Sequence, residues 1–137
     1  MSTKLHRFPV TDDQIARVMD IFYARIRVHP DLGPVFNGHI GTSDAEWDDH
    51  IALITRFWRN ALLGEGGYDG NPMRVHVTSP DITPALFDPW LALFGQVLDG
   101  ELPPEAATPW LALATRIGAS FRMAMGETPK NGIPNLR

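Results

Sequence analysis

Apolar residues recur at helical spacing in four segments of the chain, which are separated by loops rich in glycine and proline. The first segment begins at Thr11, where Gln14 completes a Thr-x-x-Gln capping box, and it ends before Pro30 because the residue preceding a proline avoids helical geometry. Its apolar face consists of Ile15, Val18, Met19, Phe22, Tyr23 and Ile26. This spacing predicts an amphipathic helix.

The second segment begins with another capping box, formed by Ser43 and Glu46. Its apolar face consists of Trp47, Ile51, Ile54, Phe57, Trp58, Ala61 and Leu62. His50 lies three residues after Trp47 and four before Ile54, so it shares that face. Between these two helices, residues 31–41 predict a connector with room for one short turn of helix.

The rest of the chain predicts two further long helices and no strand. Glycines and a proline in residues 64–72 predict a loop, followed by a short segment at residues 73–77. The third helix is expected from about Pro84 to Leu98 and the fourth from about Pro104 to Met125. We therefore expect one all-α domain over residues 1–137, with its core at about 11–126 and a loose tail at 127–137.

Composition narrows the possible functions. The 137 residues include no Cys, which excludes disulfides, thiolate metal sites and a cysteine nucleophile. A net charge of −4 without clustered Lys and Arg argues against nucleic-acid binding. No apolar stretch approaches the roughly 18 to 20 residues of a membrane span, and the first residues lack the apolar core of a signal peptide. We therefore expect a cytoplasmic protein without nucleic-acid or membrane partners.

Three polar side-chain tips fall on the apolar faces of three predicted helices. They belong to Tyr23 in the first helix, His50 in the second and Trp90 in the third. Together they suggest a pocket whose ligand accepts hydrogen bonds, although each tip could equally bond to backbone on its own. The sequence shows no phosphate-binding loop, nucleophile elbow or His-Glu-x-x-His pair.

His76 lies in the short segment after the glycine-rich loop, 26 residues beyond His50. The two histidines could face each other across a flat cofactor, since imidazole is an iron ligand. Phe22, Phe36, Ile54 and Phe57 could supply an apolar cage around it. Such a spacing is weak evidence by itself, because two histidines this far apart arise often by chance.

Several motifs, taken in order along residues 15–98, resemble group III truncated haemoglobins. They are residues 21–23 (IFY), 31–37 (DLGPVFN), 40–44 (IGTSD), 46–50 (EWDDH), 57–58 (FW), 62–66 (LLGEG), 68–72 (YDGNP), 76 (H) and 87–94 (FDPWLALF). The last helix agrees in pattern more than in identity. Three positions after His50, where other truncated globins often carry a basic residue, this chain has Leu53.

The resemblance implies a two-over-two helical sandwich around one haem b. It makes His76 the proximal iron ligand and places Tyr23, His50 and Trp90 on the distal side. The residues expected to line or support the pocket, or to pack on the haem, are Phe22, Phe36, Ile54 and Phe57. Arg74 is a candidate partner for a haem propionate, although it could equally be an arginine that is exposed in a loop and contacts no cofactor.

The same resemblance implies binding of dioxygen, nitric oxide and carbon monoxide at a five-coordinate iron. Hydrogen bonds from Tyr23 and Trp90 should slow oxygen release, which favours tight binding or redox chemistry with nitric oxide or peroxide over oxygen transport. Nitric oxide dioxygenase-like or peroxidase-like turnover would need a separate reductase, because the chain has no flavin or nicotinamide motif. His50 could gate the pocket or ligate the iron as a sixth ligand.

Two other classes of protein stay open. The helical pattern without the resemblance favours a haem-free interaction or ligand-sensing domain, in which the aromatic residues are ordinary core. A mononuclear metal hydrolase could use His50 and His76 with a carboxylate such as Glu65 or Asp69, although this spacing fits no usual metal site.

Overall fold

The computed structural model of the protein describes residues 8–66, 68 and 70–126. This part of the chain is all-α, as predicted, and contains no strand. Its elements are α1 (Asp12–Arg27), α2 (Leu32–Ile40), α3 (Asp44–Leu63), α4 (Pro72–Thr78), a 3-10 turn (Pro84–Leu86), α5 (Phe87–Glu101) and α6 (Pro104–Ala124). The predicted tail at 127–137 lies outside the described residues.

The long helices pack as two pairs. α1 lies against α3, α5 lies against α6, and α1 also contacts α5, which joins the pairs. The short helices attach at the ends, α2 to α1 and α3, and α4 to α6. No helix in the described ranges is both long and apolar enough to span a membrane.

Both predicted capping boxes are present. The Gln14 backbone N–H donates to Thr11 Oγ1 at 3.1 Å, and the Thr11 N–H donates to Gln14 Oε1 at 2.9 Å. At the start of α3, the Glu46 N–H donates to Ser43 Oγ at 3.1 Å, and the Glu46 carboxylate accepts from the Ser43 N–H at 3.2 Å. These bonds satisfy backbone donors that a helix leaves free in its first turn.

The structure has a nine-residue helix, α2, where the sequence predicted a connector with one short turn of helix. His29 Nδ1 begins it by accepting the backbone N–H groups of Asp31 at 3.0 Å and Leu32 at 3.1 Å. Asn37 Nδ2 donates to the Arg27 carbonyl at the end of α1, 3.3 Å away. Contacts with residues at and just after the end of α1 stabilise a helix that its glycines and proline disfavour, so the sequence pattern predicted no more than one turn here.

The region around Pro84 also differs from the prediction. Pro84–Leu86 forms a 3-10 turn, and α5 begins only at Phe87. Pro89 then lies in the first turn of α5, where its missing N–H removes no helical hydrogen bond. Pro109 lies inside α6, which continues through it.

We expect two glycines of α2 to respond oppositely to alanine. A Cβ on Gly33 would lie 2.9 Å from the Arg27 carbonyl oxygen and 3.2 Å from that of Ile26, whereas a Cβ on Gly38 would meet nothing within 4 Å. Gly33→Ala should lower the free energy of unfolding by about 1–3 kcal/mol, because backbone atoms cannot yield as a side-chain tip can. Gly38→Ala should raise it by about 0.5–1 kcal/mol through helix propensity.

Urea unfolding of the two variants beside the wild type measures both effects. Equal changes of the same sign would contradict the close approach of α2 to the end of α1.

Candidate functional site

A largely apolar cavity with a volume of about 200 Å³ lies between the helices. All six helices contribute side chains to it, as does the segment between α4 and α5. Seven of the predicted site residues line this one cavity: Tyr23, Phe36, His50, Ile54, Phe57, His76 and Trp90. Side chains far apart in the sequence thus converge on one space.

His50 is the polar group of α3 in this cavity. Its ring meets the Tyr23 ring edge-on, with centroids 5.3 Å apart. Its Nε2 is buried, and none of the described residues offers it a hydrogen-bond partner. Burial lowers the pKa of His50 from 6.5 to about 4, so the imidazole is neutral at pH 7. A neutral imidazole has one donor and one acceptor nitrogen.

Tyr23 is almost fully buried, with 3% of its surface exposed. Burial raises the pKa of its phenol well above the usual value, so the hydroxyl keeps its proton and can donate it in a hydrogen bond. The ring also lies near Phe36 of α2, with centroids 6.2 Å apart. Tyr23 therefore joins the walls contributed by α1, α2 and α3.

Trp90 lines the cavity from α5, and Phe22 supports it from behind. The Phe22 ring contacts Trp90 edge-on at 5.1 Å and Phe94 at 4.9 Å. Phe22 itself is fully buried in the core and does not line the cavity. Of the two expectations for Phe22, the structure supports packing behind the pocket wall.

His76 belongs to the short helix α4, whose first turn is capped by Asn71, which accepts the Arg74 backbone N–H at 3.1 Å. The His76 Nδ1 lies 2.6 Å from the Pro72 carbonyl oxygen. A carbonyl can only accept, so Nδ1 carries the proton and Nε2 is the free acceptor of the ring. The ring lies 5.5 Å from Phe87 and 4.7 Å from Phe121, between centroids.

His76 and His50 thus have different neighbours within the same cavity. His76 packs against α5 and α6 through two phenylalanines, whereas His50 packs against Tyr23 and Trp47. The described residues bring no three His, Asp or Glu side chains together as a metal site. His50, His76 and Glu65 therefore do not form the three-ligand centre of a metal hydrolase, and Asp69 lies outside the described ranges.

Arg74 does not line the cavity. Its side chain is exposed on α4, two residues before His76. The predicted role as a partner for a charged edge of a cofactor stays a prediction.

The part of the cavity lining that comes from α6 and most of α2 was not predicted from the sequence. The unassigned residues include Val35, Ile40, Ala114, Ile117, Gly118 and Phe121. The sequence predicted a helix from about Pro104 to Met125, but a helical pattern of apolar residues does not distinguish the core from a cavity wall. The position of Gly118 inside a predicted helix hinted at a close approach, and the structure shows one, since a Cβ there would lie 3.3 Å from the Phe87 ring.

The chain is similar to a known protein in sequence and structure. It is 41% identical over 113 residues to the group 3 truncated haemoglobin ctb of Campylobacter jejuni, which covers 82% of this chain and 89% of the relative. The crystal structure of the group III truncated haemoglobin from Campylobacter jejuni matches it with a TM-score of 0.82 and 38% identity. That match covers 91% of this chain and 96% of the other.

No family model matches the sequence. The identity and the coverage of both chains are nevertheless sufficient to assign the family. This chain belongs to the group III truncated haemoglobins.

Proposed function

We propose that the cavity binds one haem b, that His76 Nε2 would hold its five-coordinate iron, and that Tyr23, His50 and Trp90 would hydrogen-bond a small diatomic ligand bound there. The observation that carries the proposal is the His76 ring. Its Nδ1 donates to the Pro72 carbonyl, so its Nε2 is free to ligate a metal in a cavity with apolar walls.

The residues present fit such a group. Haem iron in globins takes a single histidine as its proximal ligand, and this cavity has one histidine on α4 with a defined tautomer. The buried His50 Nε2 has no partner among the described residues, which suits a site that holds a polar ligand. Phe36, Ile54 and Phe57 offer the apolar surface that a macrocycle needs.

Haem supplies an iron atom that binds dioxygen, nitric oxide and carbon monoxide and exchanges electrons. The chain supplies the hydrogen bonds. Tyr23 donates through its protonated hydroxyl, Trp90 can donate through its indole N–H, and neutral His50 can donate through one ring nitrogen. These groups come from three helices, so a small ligand between them is held from several directions.

Such a pocket favours retention of the ligand over its transport. A hydrogen bond to a charged group contributes about 1.5–3 kcal/mol, and each 1.4 kcal/mol slows release about tenfold. Hydrogen bonds from Tyr23 and Trp90 therefore suit a protein that holds dioxygen for reaction with nitric oxide, or that polarises peroxide. A cycle of that kind needs electrons, and we propose that a separate reductase delivers them.

Arg74 is the proposed partner of a haem propionate. It precedes His76 by two residues on α4, and its side chain is exposed. A cation at that position could meet a carboxylate at the edge of a group ligated by His76.

Absorption spectra test the cofactor. Protein purified with haem available should show an intense Soret band that shifts on reduction and on carbon monoxide binding, and His76→Ala should lose it. Val77→Ala is the matched control, because Val77 lies next to His76 on α4, is 49% exposed and does not line the cavity.

The ferric and ferrous bands would also show whether His50 occupies the sixth coordination position. A protein that stays colourless when titrated with haemin would contradict haem binding and favour a haem-free interaction domain.

Tyr23→Phe should raise the rate of dioxygen dissociation about ten- to a hundredfold, because it removes one charge-assisted hydrogen bond from the ligand. Stopped-flow replacement of dioxygen by carbon monoxide measures the rate. Tyr68→Phe, at the other tyrosine of the chain, should leave the rate unchanged, since Tyr68 does not line the cavity. An unchanged rate in Tyr23→Phe would remove Tyr23 from ligand binding.

The buried His50 should make stability depend on pH. Its pKa is about 4 in the folded protein and 6.5 unfolded, so the unfolded chain binds more protons between these values. The stability that the neutral, buried His50 contributes is therefore fully present above pH 6.5 and is lost as the pH falls towards 4. Between pH 7 and 4.5 the contribution of His50 should reach up to about 2 kcal/mol.

Urea unfolding of wild type and His50→Gln at both pH values isolates this contribution, because Gln does not titrate. The variant should lose less stability than the wild type on acidification. Identical losses would show that His50 is not desolvated in the folded protein.

A further inference from the structure

Trp47 lies behind the cavity wall, at the point where three elements of that wall meet. It is 1% exposed, and it does not line the cavity. Its ring centroid lies 6.3 Å from that of Tyr23 on α1, 6.5 Å from Phe36 on α2 and 6.2 Å from His50 on α3. Phe36 is nearly parallel to it, at 25°, whereas His50 meets it at 75°. One buried ring thus contacts both Tyr23 and His50.

The indole N–H of Trp47 is shared between two acceptors, and these hydrogen bonds fix the orientation of the ring. Its Nε1 donates to Asn37 Oδ1 at 3.1 Å and to the Gly41 carbonyl at 3.0 Å. These acceptors come from α2 and from the residue that follows it. Because a rotated ring would leave a buried donor unpaired, other orientations of Trp47 are disfavoured.

Arg27 covers the Trp47 ring. Its guanidinium carbon lies 5.1 Å from the ring centroid, which is within range of a cation–π contact. The same guanidinium donates to Asp44 at 3.0 Å and to the Thr42 carbonyl at 3.1 Å. The ring is therefore held at its nitrogen by Asn37 and on one face by Arg27.

We propose that Trp47 is a positioning residue, which holds the side chains of Tyr23 and His50 in the orientation in which they meet a ligand in the cavity. The inference rests on the proposed function. Tyr23 and His50 come from different helices, and Trp47 is a rigid, hydrogen-bonded body in contact with both. Hydrogen bonds weaken steeply with misalignment, so a small rotation of either ring weakens its bond to the ligand.

Trp110 provides a matched control for the loss of a buried tryptophan. It is 0% exposed, it contacts Trp58 and Phe94, and it does not line the cavity. Trp47→Phe and Trp110→Phe are the same substitution in two fully buried places. The Trp47 indole N–H has two acceptors, whereas the buried Trp110 Nε1 has no hydrogen-bond partner among the described residues, so Trp110→Phe measures the loss of buried aromatic surface alone. Both should lower stability, but only the first removes a contact with Tyr23 and His50.

The experiment compares Trp47→Phe, Trp47→Leu, Trp110→Phe and Tyr23→Phe as haem-loaded, carbon monoxide-bound proteins. The infrared C–O stretching band reports the field that distal groups place on the ligand. We expect the band to shift and broaden in Trp47→Leu towards that of Tyr23→Phe, with a smaller shift in Trp47→Phe, which keeps an aromatic ring. Trp110→Phe should keep the wild-type band despite a lower urea midpoint.

Dioxygen dissociation gives a second readout. Its rate should rise roughly three- to tenfold in Trp47→Leu, less than in Tyr23→Phe, because the hydrogen bond is misaligned instead of deleted. Asn37→Ala keeps the Trp47 side chain but removes one of the two acceptors that fix its orientation, so it should shift the band in the same direction. This variant decides the question if the Trp47 variants do not fold.

An unshifted band and an unchanged rate in the Trp47 and Asn37 variants, with Tyr23→Phe altered, would overturn the inference and leave the proposed function intact. An equal band shift in Trp110→Phe would also overturn it, because the effect would then be one of general destabilisation. Failure of the wild type to take up haem would instead overturn the proposed function, on which the inference rests.

Discussion

The contact between Phe22 and Phe94, with ring centroids 4.9 Å apart where α1 meets α5, joins the two helical pairs. Both rings are fully buried, so the contact lies in the dry core. Two residues that line the cavity, Tyr23 and Trp90, are placed relative to this contact. Tyr23 is the next residue along α1, and Trp90 lies one turn before Phe94 on α5, with its ring 5.1 Å from Phe22. The core contact therefore constrains the relative positions of Tyr23 and Trp90, two of the proposed ligand donors.

Polar groups inside an apolar cavity carry a cost that the rest of the fold must offset. The His50 Nε2 is buried without a partner among the described residues, and desolvation keeps the ring neutral. Hydrogen bonds elsewhere compensate, as at Trp47, whose indole N–H meets Asn37 and the Gly41 carbonyl. The hydrogen-bonded indole of Trp47 behind the cavity wall thus accompanies an unsatisfied His50 nitrogen at the wall itself, which suits the proposed ligand site.

Much of the fold could be predicted from local sequence signals, whereas the remaining elements depend on tertiary contacts. The capping box at Thr11 and the helical spacing located α1, whereas α2 depends on contacts with α1 that no local pattern contains. Phe22 and Tyr23 show the limit at the level of single residues. Adjacent helical residues differ by about 100° in direction, so only the packing of α1 shows that Tyr23 lines the cavity while Phe22 lies behind it. Phe121 was missed because the motifs that carried the resemblance end before α6.

The hydrogen-bond acceptor of His76 affects which side of the proposed haem site would control ligand binding. The acceptor is the neutral carbonyl of Pro72, within the same short helix, and not a carboxylate. A charged partner would raise the basicity of the imidazole more than a carbonyl does, and would push more electron density towards the metal. A site with the weaker proximal donor must obtain its hold on a ligand mainly from the distal side. Tyr23, His50 and Trp90, more than His76, would therefore set the ligand chemistry of this protein.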